Sequence, residues 1–358
     1  MNTTEASGLR NTPFDSGKSH EVYTDFNALL KSIRSCEKHK DLHKARSIHA
    51  SIIQTNLLER EIRLGHALVS VFAKCGAFRD ARNVFDKIPG RNIRSWNILI
   101  SGCVRNCCFN EAINFFKQMK EEGLSPDVVT YTCILKACAS IQCVEMGEDI
   151  CIEVKKKGLL YKDLMLGTAM VDMYAKCGVM EKAQLVFEDL PLRDVVSWNA
   201  LIGGYVRHGL ATEALNCFEK MQEEGFLPNA MTFSCVLKAC GSIGSLDIGE
   251  EVHRKVMEKG LLEKDIVLGT AIVDMYAMCG VLGKAREVFE KLPMRNNITW
   301  NVLISGYVRY GLNDEALHCF FQMRNEGHSP DVITFVCLCK ACGSLRFLQM
   351  AEDIHSEV

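Results

Sequence analysis

The stretch IRSWNILISGCVRNCCFNEAINFFKQMKEEGLSPD, residues 93–127, holds two helical patterns and the punctuation that separates them. Its first half, SWNILISGCVRN, reads as a helix with Ser95 as N-cap, because a hydroxyl there can accept from an orphan N–H of the first turn. Its second half, NEAINFFKQMKEEG, reads as another helix, capped by Asn110. Ala112, Phe116 and Met119 fall at i, i+4 and i+7 and make one apolar stripe. Gly123 suits the left-handed position that ends such a helix, and Pro126 blocks any continuation.

The stretch returns twice. Trp96, Trp198 and Trp300 stand 102 residues apart, and each is followed by an asparagine: Asn97, Asn199, Asn301. Six of the seven prolines obey the same shift, as Pro89, Pro191 and Pro293 and as Pro126, Pro228 and Pro330. AKCG at 73–76 recurs at 175–178 and, as AMCG, at 277–280. This many matches in one register mark an internal repeat. Within the block, punctuation separates units of 36, 31 and 35 residues, such as 128–163, 164–194 and 195–229. Extended along the chain, the registers give units at 23–61, 62–92, 93–127, 128–163, 164–194, 195–229, 230–265, 266–296 and 297–331. A tenth unit begins at 332 and stops at Val358 inside its expected second helix, which reads as a fragment or an abrupt end. No single helix pair of this size can bury its own apolar stripe. The expected fold is therefore all-α: an αα-hairpin repeat solenoid, or superhelix, in which each pair stacks on the next.

Composition narrows the function classes. The chain has 358 residues, 48% hydrophobic and 24% charged, with a net charge of −2. A nucleic-acid site would have to be a local stripe, since bulk charge offers no attraction to phosphate. Many of the eighteen cysteines sit inside apolar helical patterns, as in KAC (Cys138, Cys240) and CG (Cys177, Cys279), where a free thiol packs as a small apolar group. A reducing compartment is the simpler reading. No apolar run is long enough to span a membrane. Residues 1–22 are polar, lack a signal-peptide core, match an Arg-rich transit peptide poorly, and are expected to be a disordered leader.

Catalytic and metal motifs fail when tested against the repeat. Cys337 and Cys342 in CLCKAC are shift-mates of Cys235 and Cys240, so core packing outweighs a metal site. His355-Ser-Glu357 matches half of a zinc-deaminase signature, but His355 is the mate of His253 and no P-C-x-x-C follows. No nucleophile–base set and no phosphate-cradling loop is found. An enzyme, a metal and a cofactor are not expected. The tryptophans are expected in the core.

Four features together resemble the pentatricopeptide repeat family, in its plant-type subgroup of alternating long, short and standard motifs. They are the three-length alternation, WN-x-LI-x-G-Y-V-R at 198–207, the LV-x-MYAKCG-like stretch at 170–178, and EAL-x-x-F-x-x-M at 213–221. The resemblance covers residues 23 to 358. A tetratricopeptide array would show a constant 34-residue period, which is not seen. The resemblance implies sequence-specific binding of single-stranded RNA, one base per repeat. It assigns base contact to the fifth and last residues of each motif. These are Asn97 with Asp127, Thr132 with Asp163, Thr168 with Asp194, Asn199 with Asn229, Ser234 with Asp265, Thr270 with Asn296, and Asn301 with Asp331. His66 with Asn92 is an odd member without a clear base. The second residue is implied to wedge between bases: Val129, Met165, Val196, Met231, Val267, Ile298 and Ile333. Arg63 and Arg94 depart from that apolar pattern, and Val336 cannot hydrogen-bond a base.

The family's code, applied to units 93–331, implies 5′-U-G-G-Y-G-A-U-3′, where Y is a pyrimidine. The resemblance further implies residence in a mitochondrion or chloroplast and a role in organelle RNA processing or C-to-U editing. It implies as partners single-stranded RNA and a deaminase-bearing or other RNA-processing protein acting in trans, and no membrane. Two alternatives stay open at this point. The last-residue Asp and Asn series is also what helix N-caps look like. A non-enzymatic protein-binding scaffold would share the fold, although a peptide groove has no need of one variable polar pair per unit.

Overall fold

The computed structural model describes residues 16–345, residue 162 excepted. Twenty helices and no strand occur among the described residues. The chain divides into two compact units, residues 1–141 and 142–358. The first holds α1 (Ser16–His39), α2 (Leu42–Gln54), the short α3 (Leu57–Arg60), α4 (Ile62–Lys74), α5 (Phe78–Asp86), α6 (Ile93–Arg105), α7 (Phe109–Glu121) and α8 (Val128–Ile141). The second holds α9 (Val144–Lys156), α10 (Leu164–Lys176), α11 (Met180–Glu188), α12 (Val195–Arg207), α13 (Ala211–Glu223), α14 (Ala230–Ile243), α15 (Leu246–Glu258), α16 (Ile266–Met278), α17 (Leu282–Lys291), α18 (Asn297–Arg309), α19 (Asn313–Asn325) and α20 (Val332–Leu345).

Within each unit the architecture is a solenoid of helix pairs. The first helices α12, α16 and α18 each pack on the first helix before and after and on both flanking second helices, and α6 does the same in the first unit. First helices therefore carry most of the core. Their apolar faces are closed by close backbone approach. A Cβ added to Gly204 would lie 2.6 Å from the Cβ of Ala175, and one added to Gly306 would lie 2.8 Å from that of Ala277. Only the absence of a side chain lets α12 sit so near α10.

The tryptophans are core residues. Trp96, Trp198 and Trp300 are buried, each edge-on to a phenylalanine of the preceding second helix, Phe85, Phe187 and Phe289, with ring centroids 4.5–4.6 Å apart. Arg193 lies over the Phe187 ring and pairs with Glu224 at 2.9 Å, and Arg295 repeats the arrangement over Phe289 with Glu326. This cation–π and ion-pair clamp ties one repeat to the next. All eighteen cysteines are free. Burial pushes the thiols of Cys103, Cys151 and Cys240 up to about 12, as suits packing groups rather than nucleophiles.

Three local expectations are corrected. The N-cap of α6 is Asn92, in extended backbone, and Ser95 is the third helical residue. Asn92 Oδ1 accepts from the Ser95 N–H at 3.1 Å while Ser95 Oγ accepts from the Asn92 N–H at 3.3 Å, a reciprocal capping box. Asn110 is not a cap: α7 starts at Phe109, because Cys107 in a left-handed turn (φ +59°) and the Cys108 N–H bonded to the Cys103 carbonyl reverse the chain one residue earlier. The leader expected over 1–22 overlaps α1, which is helical from Ser16; beyond Gly17 nothing in that stretch breaks a helix. Residues 1–15 of that leader, and His355 and Glu357, lie outside the described residues.

Candidate nucleic-acid interface

The candidate residues lie at the N-terminal turns of the first helices. Every last-position residue is a helix cap. Asp163, Asp194, Asn229, Asp265 and Asn296 each accept a backbone N–H of the following helix, and Asp127 and Asp331 accept the Thr130 and Thr334 N–H groups at 2.9 and 3.0 Å. In the standard units the cap also brings Asp127, Asn229 and Asp331 beside a side chain thirty positions earlier. Asn97 Nδ2 donates to Asp127 Oδ1 and Oδ2 at 2.9 and 3.0 Å, Asn301 Nδ2 donates to both oxygens of Asp331 at the same distances, and Asn199 Nδ2 donates to Asn229 Oδ1 at 3.1 Å.

Capping and recognition chemistry therefore need not compete. The cap uses Oδ1. An aspartate then leaves a second acceptor, Oδ2, and an asparagine leaves a donor, Nδ2, at the same place. The backbone N–H of Thr232 fixes which way the Asn229 amide points, because only its oxygen can accept there. For Asp331 the donors of Thr334 and Asn301 hold the carboxyl below the usual carboxylate range, the Thr334 backbone N–H contributing most.

The second-position residues are solvent-facing apolar side chains. Val129 is 51% exposed, and Met165, Val196, Met231, Val267, Ile298 and Ile333 are 60–69% exposed. These exposed apolar side chains recur at one fixed position, although other aliphatics such as Leu192 and Leu227 are exposed as well. Val196 and Asn199 stand at i and i+3 and share a helix face, as second and fifth residues do in every unit. An apolar side chain beside a polar pair can pack on a base face while the pair meets its edge. Exposed Arg105, Arg207 and Arg309 close the first helices, and exposed Lys136 and Lys238 sit further along long first helices. By contrast, many charges on the second helices are tied to one another, as in Lys155 with Asp189, Lys182 with Glu148 and Lys284 with Glu250.

Not every pair has this geometry. Thr270 Oγ1 reaches Asn296 only through Thr299: it is 3.0 Å from Thr299 Oγ1, which lies 2.9 Å from Asn296 Oδ1. Thr168 Oγ1 is buried without a hydrogen-bond partner, while Asp194 Oδ1 caps α12 through the Ser197 N–H at 2.8 Å. Ser234 is half-buried on α14, and Asp265 caps α16 through the Val267 and Leu268 N–H groups. Thr132 is half-buried on α8 of the first unit, and Asp163 caps α10 of the second. His66 is buried and bonds Ser95 Oγ at 2.7 Å; burial, then the charge of Arg94, lowers its pKa and keeps the ring neutral. Arg63 lies 4.7 Å from the ring centre of Phe26, so this departure from the apolar series serves packing. Among the described residues no group of His, Cys, Asp or Glu could hold a metal, and no helix is long and apolar enough to cross a membrane.

Apart from Ser95, which reads as a cap in the sequence, the hydroxyls at the third position of the standard and long units carried no expectation there. Ser95, Thr130, Ser197, Thr232, Thr299 and Thr334 are all buried at the foot of the pairs. Long units are instead followed by Leu166 and Leu268. The signal was available in the repeat register: a hydroxyl series interrupted by leucine at fixed places.

The helix-pair repeats define a helical-repeat protein of the pentatricopeptide type. The PPR repeat family model matches residues 91–140, 193–242 and 295–344, and the PPR repeat model matches 66–93, 129–159 and 168–195. The chain belongs to the pentatricopeptide repeat family. A chloroplastic pentatricopeptide repeat-containing protein of Arabidopsis thaliana is 33% identical over 321 residues, covering 90% of this chain and 52% of the relative. A mitochondrial one from the same plant is 34% identical over 314 residues, covering 88% and 56%. The chain thus spans about half the length of the curated relatives it matches. Its fold is similar to that of the pentatricopeptide repeat protein PPR10 in complex with an 18-nt psaJ RNA element, with a TM-score of 0.73 at 16% identity over 87% of this chain and 47% of that one. The crystal structure of the pentatricopeptide repeat protein PPR10 from maize gives 0.67 over 88% of this chain and 46% of that one, at 17% identity.

Proposed function

We propose that this chain binds single-stranded RNA in a sequence-specific way, one base per repeat, without catalysing a reaction itself. The fifth and last residues meet the base edge, the second residues stack between neighbouring bases, and the arginines and lysines of the first helices face phosphates. The observation that carries this is the convergence, in each standard unit, of two polar side chains thirty residues apart, joined in units 195–229 and 297–331 by an exposed apolar second residue, Val196 or Ile298. Support comes also from the likeness of fold to PPR10 bound to an 18-nt RNA. For units 93–331 the preferred register is 5′-U-G-G-Y-G-A-U-3′.

The site of action is an organelle, in keeping with relatives named as chloroplastic or mitochondrial. The finer role is specificity in RNA processing or C-to-U editing, with chemistry supplied by a deaminase-bearing or other protein in trans. A single exchange tests the assignment. Asn296→Asp keeps the cap of α18 and turns a donor into an acceptor. The expected result is a change from A toward G at one base of the bound RNA. A uniform loss of affinity for every RNA, with no change at that base, contradicts it.

A further inference from the structure

A fifth-position asparagine can read a base only if its amide is held one way round, since its two ends differ in sign. Two groups hold it here, and one of them belongs to the next repeat. Thr232 Oγ1 donates to Asn199 Oδ1 at 2.7 Å, Thr130 Oγ1 to Asn97 Oδ1 at 2.6 Å, and Thr334 Oγ1 to Asn301 Oδ1 at 2.6 Å. A hydroxyl has one proton. In each case the shortest oxygen contact of the threonine is the fifth-position amide oxygen, not the cap oxygen at 2.9–3.2 Å. The same Oγ1 accepts the backbone N–H of the last residue, at 3.1–3.3 Å, which leaves its proton for the amide. The result is a closed circuit. The backbone N–H of Asn229 feeds Thr232 Oγ1, Thr232 feeds Asn199 Oδ1, and Asn199 Nδ2 feeds Asn229 Oδ1.

Burial makes the circuit consequential. Thr130, Thr232 and Thr334 are fully buried, so no water can replace a lost hydroxyl without a cavity to hold it. Behind the long units the register carries Leu268 in place of the hydroxyl, and Ser234 and Asp265 form no such circuit among the described contacts.

We propose that the third residue of the following repeat is a positioning residue for base recognition. Thr130, Thr232 and Thr334 set the orientation of Asn97, Asn199 and Asn301, and so decide which atom each presents to the base. Specificity at a repeat is thereby encoded partly in its neighbour, and repeats followed by leucine at that place discriminate less. The inference rests on the RNA-binding reading above.

The test uses the full chain and four RNAs that differ only at the base facing unit 195–229. Thr232→Val removes the hydroxyl and keeps the shape; Thr232→Ser keeps the hydroxyl. The expected result is that Thr232→Val lowers discrimination among the four bases about three- to tenfold, the loss of one hydrogen bond, while discrimination at the base facing unit 297–331 is unchanged. Thr232→Ser restores it. Thr130→Val, read at the base facing unit 93–127, guards against a local folding defect at 232. If both valine variants weaken all four RNAs equally, with base preference intact, the threonines are merely structural and the inference is overturned. If the unmodified chain binds these RNAs with no base preference at all, the RNA-reading proposal falls, and this inference with it.

Discussion

Asn229 is where fold and recognition meet, and two substitutions there separate them. Asn229→Ala deletes the Oδ1 that accepts the Thr232 N–H at 3.1 Å. The reciprocal half of the capping box survives, because its donor is the backbone N–H of residue 229. The second lost bond, from Asn199 Nδ2, lies where water can replace it. The expected cost is therefore that of one N-cap, about 1 kcal/mol. Asn229→Asp keeps the cap acceptor and adds charge at the start of α14, where the helix dipole favours it by about 0.3–1 kcal/mol. It also allows the two-oxygen contact that Asn97 makes with Asp127. In urea melts the order of stability should be Asp at or above Asn, and both above Ala. In binding, Asp should raise the preference for U over C at the base facing unit 195–229, while Ala should lose preference there. The ratio of U to C is the quantity to follow, since an added negative charge weakens every RNA complex alike. If Asp destabilises as much as Ala, or if the ratio does not move, the division of labour between Oδ1 and the second atom is wrong.

Three further outcomes follow from the geometry. Cys107 stands at the left-handed position that Gly209 and Gly311 fill in the other two blocks, so Cys107→Gly should stabilise the chain by about 0.5–1 kcal/mol in chemical unfolding. Gly204→Ala should cost about 1–3 kcal/mol by pushing α12 off α10, and pairing it with Ala175→Gly should recover part of that loss if steric contact is the cause. Asp331 has its folded pKa depressed, so its stabilising contribution is complete above the ordinary carboxylate pKa of about 4 and disappears as pH falls through the lower folded value; Asp331→Asn should flatten the acid side of a stability–pH curve, and an unchanged curve would show that the bonds from Thr334 and Asn301 do not act on the charged form.

Much of the fold was legible because the repeat is long and its punctuation is physical. Gly123, Gly178 and Gly158 all adopt the positive φ that ends a helix, and Trp198 and Trp300 mark the same buried place 102 residues apart. What escaped was local. Asn92 and Ser95 are both good capping types three residues apart, and a box with a hydroxyl at its third helical position looks the same read from either end. Second helices such as α7 and α13 start with no side-chain cap at all, so Asn110 was a false signal. Cys107 and Gln142 adopt positive φ, a conformation that glycine would have announced. At the interface, the fifth- and last-position residues were placed by resemblance, but the hydroxyl between them was hidden. It touches its asparagine 33 residues away, a separation no helical periodicity displays.

The central claim is that a row of polar pairs on first helices reads single-stranded RNA in a fixed register. Selection of bound sequences from a random RNA pool by the intact chain, at moderate salt, tests it most directly. The account predicts enrichment of a register near U-G-G-Y-G-A-U, sharpest at the bases facing units 93–127, 195–229 and 297–331, where the pairs are hydrogen-bonded. A pool that emerges with no enriched register, or a chain that retains no single-stranded RNA, would contradict it.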